Sequence, residues 1–156
     1  MIFTAGLKRA SIFAATIVLL LAATATANAA CSDPAAPNVD WSGCDKERAS
    51  LKNADLTGAN LTNANLTGAN LTGADLSDAD LVNTLLTSAN LLVAFLHGAD
   101  LTNAYLGDAN LKGAILEDAN LTKADLRRAD LTSADLSGAT WIDGRICAWR
   151  SFRVCK

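Results

Sequence analysis

Carboxylates are the side chains of this chain with the most chemical capacity, and they recur at fixed intervals. Asp55, Asp75 and Asp135 are spaced by multiples of twenty, and so are Asp80 and Asp100. Paired carboxylates can run general acid–base chemistry or hold a cation. Here the pairing carries little weight, because Asp or Asn fills thirteen of nineteen equivalent slots. The repeat alone generates such pairs, and a solvated face accounts for them. His97 is the only histidine, so neither a histidine-based triad nor a histidine-rich metal site can be built. Serines and threonines are spread through the chain with no base beside them, and no phosphate-binding glycine loop occurs. The expectation is a protein that is not an enzyme, with no catalytic residues, no metal and no cofactor.

The element that must carry these residues is set by a strict period of five. Every fifth position from Leu51 to Leu136 is leucine, eighteen in succession. Two places before each leucine sits alanine, from Ala49 to Ala139, with Thr84 the sole departure. On an α-helix a step of five advances about 140° beyond a full turn, so the leucines would scatter around the axis. In a flat strand an odd step puts successive leucines on opposite faces. Asp, Asn, Thr and Gly in the other slots are also poor helix formers. The period works if the chain turns a corner once per repeat, so that each leucine points inward from a new side. Short repeats that stack into coils are the mark of a β-solenoid.

Runs such as Ala54-Asp55-Leu56-Thr57-Gly58 and Ala59-Asn60-Leu61-Thr62-Asn63 resemble the pentapeptide repeat family, whose motif is Ala-(Asp/Asn)-Leu-x-x. The resemblance covers residues 49–143 and extends weakly to Val39-Asp40-Trp41 and Cys44-Asp45-Lys46. It implies an all-β fold: a right-handed, four-sided β-helix with four repeats per coil and about five coils. Leucine and alanine would fill its interior. Thr84 would place a hydroxyl there and need a carbonyl partner.

Residues 1–29 read as a secretory signal peptide. Lys8 and Arg9 are its charged start, Ile12 to Ala23 its apolar run, and Ala27-Asn28-Ala29 a small-x-small cleavage site. The run is short for a membrane span, and Asn28 spoils a lipobox before Cys31. The expectation is a periplasmic or secreted bacterial protein with no stable membrane insertion after cleavage. An oxidising compartment makes disulfides of Cys31, Cys44, Cys147 and Cys155. Their wide spacings lack the close pairs of structural zinc modules. The two ends of a rod are too far apart to bridge, which favours 31–44 and 147–155 over the other connectivities. The domain reading is a cap with irregular repeats at 30–48, the β-helix at 49–143, and a second cap at 144–156. Trp41 and Trp141 both occupy leucine slots 100 residues apart, on the same side of the rod, where each would plug one end.

With twenty residues per coil, slots twenty apart stack on one face. Four members of the Asp/Asn slot are apolar instead: Phe95 over Ile115, and Leu85 over Tyr105 on the opposite face. Leu92 and Val93 lie beside Phe95. Stacking within one chain is the plain reading. The sharper reading is a contact patch for a protein partner or a second copy. Charge is uneven as well. Residues 30–111 carry three basic and ten acidic side chains, net −7, whereas residues 112–156 carry eight and six, net +2.

Two functions compete. One is an exported, non-enzymatic structural or protein-binding module that presents a rigid β-helical surface. The other follows from the resemblance, since some cytoplasmic members imitate a DNA duplex and bind DNA gyrase. The signal peptide, the basic C-terminal end and the apolar breaks in the acidic faces count against the second. No nucleic acid is expected as a partner.

Overall fold

A computed structural model of the 156-residue chain describes residues 31–152, 154 and 155. The expected signal segment, 1–29, lies outside the described residues. The chain divides into two units, Met1–Ser32 and Asp33–Lys156, and only Cys31 and Ser32 of the first are described.

The second unit is a β-helix solenoid. Parallel bridges join each residue of the Asp/Asn slot to the one twenty positions on, from Asp40↔Asn60 through Asn120↔Thr140. Four bridges occur per twenty residues, so each coil has four sides. The bridges are single residues rather than extended strands. The reason is local: a turn follows each bridge, which leaves the ladder no room to lengthen. Coiled geometry already begins at Asp40 and Asp45, so the irregular repeats before residue 49 are part of the stack.

One repeat explains the sequence motif. Leu56 N–H donates to the Asp75 carbonyl at 2.7 Å, and Gly58 N–H to the Ser77 carbonyl at 2.8 Å, both in the next coil. Asn60 N–H donates back to the Val39 carbonyl at 2.9 Å. Ala59 N–H closes a β-turn onto the Leu56 carbonyl at 3.0 Å. The remaining amide, Thr57 N–H, donates to Asp55 Oδ1 at 3.2 Å. Every backbone donor of the repeat therefore has a partner, and the last depends on an Asp or Asn side chain. The same bond recurs at Asp40, Asn60, Asn70, Asp75, Asn90, Asp100, Asn110 and Asn120. Abundant Asp and Asn are thus a structural requirement of the coil.

The turn also explains the last slot of the repeat. Its residue has φ near +60° in each repeat, which favours Gly, Asn and Asp. Gly98, at φ 65°, is one such corner, and a Cβ there would sit 2.5 Å from Asp78 Oδ1 in the preceding coil.

Leucines 56 to 121 are fully buried, as are the alanines of the middle coils. Thr84 is buried too, and its hydroxyl donates to the Leu61 carbonyl at 2.7 Å. The interior is less complete at the C-terminal end. Leu126, Ala129 and Leu131 are half-buried, because the chain does not continue the coil over them. It reverses after Trp141 and runs antiparallel across the rod end, with bridges Thr140↔Ile146 and Asp135↔Phe152.

Candidate functional site

The rod's surface is mostly self-satisfied, so departures from the repeat stand out against it. Phe95 bridges to Ile115, and Leu85 to Tyr105. Phe95, Tyr105 and Leu85 are exposed, and Ile115 is half-buried. Each of the four replaces an Asp or Asn whose Oδ1 would accept the N–H two residues on. Among the described residues, the N–H groups of Thr87, His97, Gly107 and Glu117 accordingly have no protein acceptor. Each exception forgoes a contact of about 1 kcal/mol that the repeat otherwise makes.

Val93 adds a second cost at the same edge. Its φ is 50°, a left-handed conformation that a β-branched residue rarely adopts. Every other corner of this kind in the repeats holds Gly, Asn, Asp, Ser, Lys or Arg. Val93 is nonetheless exposed, and Gly113 in the next coil provides its seat, since a Cβ there would come within 3.2 Å of Val93 Cγ1. Leu92 is half-buried beside it. The structure thus brings Leu92, Val93, Phe95 and Ile115 to one face, with His97 and Glu117 adjacent at 3.9 Å. Periodicity reveals the odd residue type at position 93. It does not reveal the left-handed backbone, which only the turn geometry supplies.

An open groove of about 570 Å³ lies on the Leu85–Tyr105 side, lined by Thr87, Gly107, Asp108, Asp125, Arg127 and Arg128. Sequence reasoning passed over it. The signal was the glycine at position 107, which leaves a gap between Thr87 and Arg127 in one stacked column. Its charges are paired internally. Arg127 donates to Asp125 at 2.8 and 2.7 Å, and Arg128 donates to Asp108 at 2.7 and 2.6 Å. The Arg127 guanidinium, helped by Arg127 N–H and opposed by slight desolvation, lowers the Asp125 carboxyl from 3.8 to about 2. A depressed carboxylate contributes stability that is present above pH 3.8 and lost as pH falls from there towards 2. Arg127→Ala should return the Asp125 titration, followed by carboxyl carbon-13 NMR, towards the ordinary aspartate value. An unchanged midpoint would contradict this pairing.

The ends hold the remaining sequence candidates. Trp41 is 1% exposed in its leucine slot, with the Lys46 ammonium 3.7 Å from its ring centroid. Trp141 is half-buried. Cys147 and Cys155 are disulfide-bonded to each other, with Cα atoms 4.8 Å apart. Cys31 and Cys44 are disulfide-bonded as well. Among the described residues, no group of His, Cys, Asp or Glu is arranged to hold a metal ion.

The family model for pentapeptide repeats matches residues 37–68, 64–103, 79–118 and 104–140. This chain belongs to the pentapeptide repeat family. Among solved structures, it is 35% identical to the pentapeptide repeat protein alr5209 of Nostoc PCC 7120, covering 76% of this chain and 78% of that one, with a TM-score of 0.42. HetL, from Nostoc sp. strain PCC 7120 and involved in heterocyst differentiation regulation, is 34% identical over 70% of this chain, with a TM-score of 0.34. The chain spans 64% of the length of HetL. QnrB1, a plasmid-mediated fluoroquinolone resistance protein, is 25% identical over 65% of this chain and 60% of its own, with a TM-score of 0.31. No curated protein matches the chain.

Proposed function

We propose that this pentapeptide repeat protein is an exported, non-enzymatic binding module that captures a protein through its Phe95 face. The rod is a right-handed stack of about five coils, closed at its ends by the 31–44 and 147–155 disulfides. It works in the periplasm or outside the cell. The signal-like segment at 1–29 and the four bonded cysteines support export.

One observation carries the binding role. Leu92, Val93, Phe95 and Ile115 form an apolar face where the repeat would otherwise supply self-bonded polar groups, and Val93 holds a strained backbone there. Strain and forgone hydrogen bonds gathered at one place suit a site kept for a partner. A rigid rod loses little entropy when a flat apolar partner docks on it. A gyrase-directed role in the cytoplasm is disfavoured by the signal-like segment and by these apolar breaks in the acidic surface.

The test combines fractionation with a double substitution, Phe95→Asn and Ile115→Asn. Two stacked asparagines can bond as Asn110 Nδ2 does to Asn90 Oδ1 at 3.0 Å, and can accept from His97 and Glu117 N–H. The variant should therefore fold with a melting temperature at or slightly above that of the parent. It should lose at least tenfold in affinity for the envelope protein that cross-links to the parent rod. Retained capture would refute the Phe95 face as the binding site, and accumulation of the parent protein in the cytoplasm would refute export.

A further inference from the structure

The C-terminal cap leaves a group of apolar side chains exposed. Its attachment to the rod is made by other groups. Leu136 N–H donates to the Ser151 carbonyl at 2.8 Å, Gly138 N–H to the Cys147 carbonyl at 3.1 Å, and Cys147 N–H to the Ala139 carbonyl at 2.8 Å. The side chains turned inward are Cys147, Ser151 and Cys155, all buried. Ile146, Trp149, Phe152 and Val154 are exposed, Trp149 by 74% and Ile146 by 63%. Arg150 lies over the Trp149 ring, 4.5 Å from its centroid. From Gly144 onward the sequence contains four cations, Arg145, Arg150, Arg153 and Lys156, and no acid.

We infer that this disulfide-closed cap is a peripheral membrane anchor that docks on an anionic phospholipid surface. Indole and phenyl rings settle at the headgroup level, where one side is apolar and the other wet, while arginine pairs with lipid phosphate. Charge complementarity selects the occupant and sets the orientation. The rod portion, 30–111, is net −7 and is repelled by an anionic bilayer, so the cap meets it first. The four exposed side chains offer roughly 500 Å² of apolar surface. That area suffices for reversible interfacial binding. The cap is separate in sequence from the Phe95 face, so either reading can fail without the other.

The experiment is co-sedimentation of the protein, purified as the cell produces it, with phosphatidylcholine vesicles that contain or lack phosphatidylglycerol. Partitioning should be at least tenfold stronger with phosphatidylglycerol and should weaken as salt is added. Trp149 emission should shift to the blue on binding, a change removed by Trp149→Phe. The pair Trp149→Ala and Phe152→Ala should lower partitioning at least tenfold, with the melting temperature nearly unchanged because both side chains are exposed. Arg150→Glu should lower it about tenfold on anionic vesicles only, which keeps the inference testable if the aromatic pair disturbs the cap. Phe95→Asn with Ile115→Asn should bind vesicles as the parent does. Equal partitioning to both vesicle types, or partitioning indifferent to the cap variants, would overturn the inference. So would lipid-free, concentration-dependent association that Trp149→Ala abolishes, because the cap would then seat on a second copy of the chain.

Discussion

Leu96→Asp is expected to abolish the folded rod. Leu96 is fully buried in a central coil, with its backbone fixed by bonds from its N–H to the Ile115 carbonyl at 2.7 Å and from Ala99 N–H to its own carbonyl at 3.1 Å. Those ladders run on every side, so the new carboxylate cannot swing outward without breaking a coil. Losing the leucine costs about 2–5 kcal/mol, and the unpaired charge adds several more. Together they match the ~5–15 kcal/mol that holds a typical domain. Position within the stack should grade the effect. In a solenoid each repeat leans only on its neighbours, so a break in the middle leaves two short stacks that cannot stand alone. Leu131→Asp, at the half-buried C-terminal end, should instead fray that end and leave most of the coil intact. Circular dichroism melts of both variants are the measurement. Equal melting temperatures would contradict the coil assignment.

The leucine slots were legible in the sequence because their period has one geometric solution, and Thr84 with its carbonyl partner followed from the same reasoning. Less legible was the purpose of Asp and Asn. Composition alone suggested solvated carboxylates, whereas Asp55 and its equivalents are tied to the backbone of the corner two residues on. That bond is invisible in the pattern because it depends on the turn. It also changes what the apolar exceptions mean: Phe95 and Ile115 are places where the coil loses a hydrogen bond, not merely places that are less polar. The ends were the least legible. Trp41 and Trp141 look equivalent in the repeat, but Trp41 is buried and Trp141 half-buried. No repeat rule encodes the chain reversal after Trp141, and only that reversal shows Trp149 and Ile146 standing clear of the rod.

Ala94→Leu should destabilise the rod by about 3 kcal/mol or more, although it only adds apolar volume. Ala94 is fully buried, its N–H closes the turn onto the Leu91 carbonyl at 3.1 Å, and its carbonyl accepts Ile115 N–H at 3.0 Å. Phe95 N–H, one residue on, is tied back to the Ala74 carbonyl at 2.9 Å. Both neighbouring coils thus grip this segment, and a larger side chain cannot be accommodated by shifting it outward without stretching two ladders. Thr84 marks how much the slot accepts: two more heavy atoms than alanine's methyl, with the hydroxyl bonded to Leu61. A leucine brings one more again and no hydrogen bond. Ala54→Leu, in a half-buried alanine slot of an early coil, should cost less than 1 kcal/mol, since that position still reaches solvent. Denaturant melts of the two variants would separate the effects. If Ala94→Leu melts with the parent, the interior has spare volume and alanine is present there for turn propensity alone.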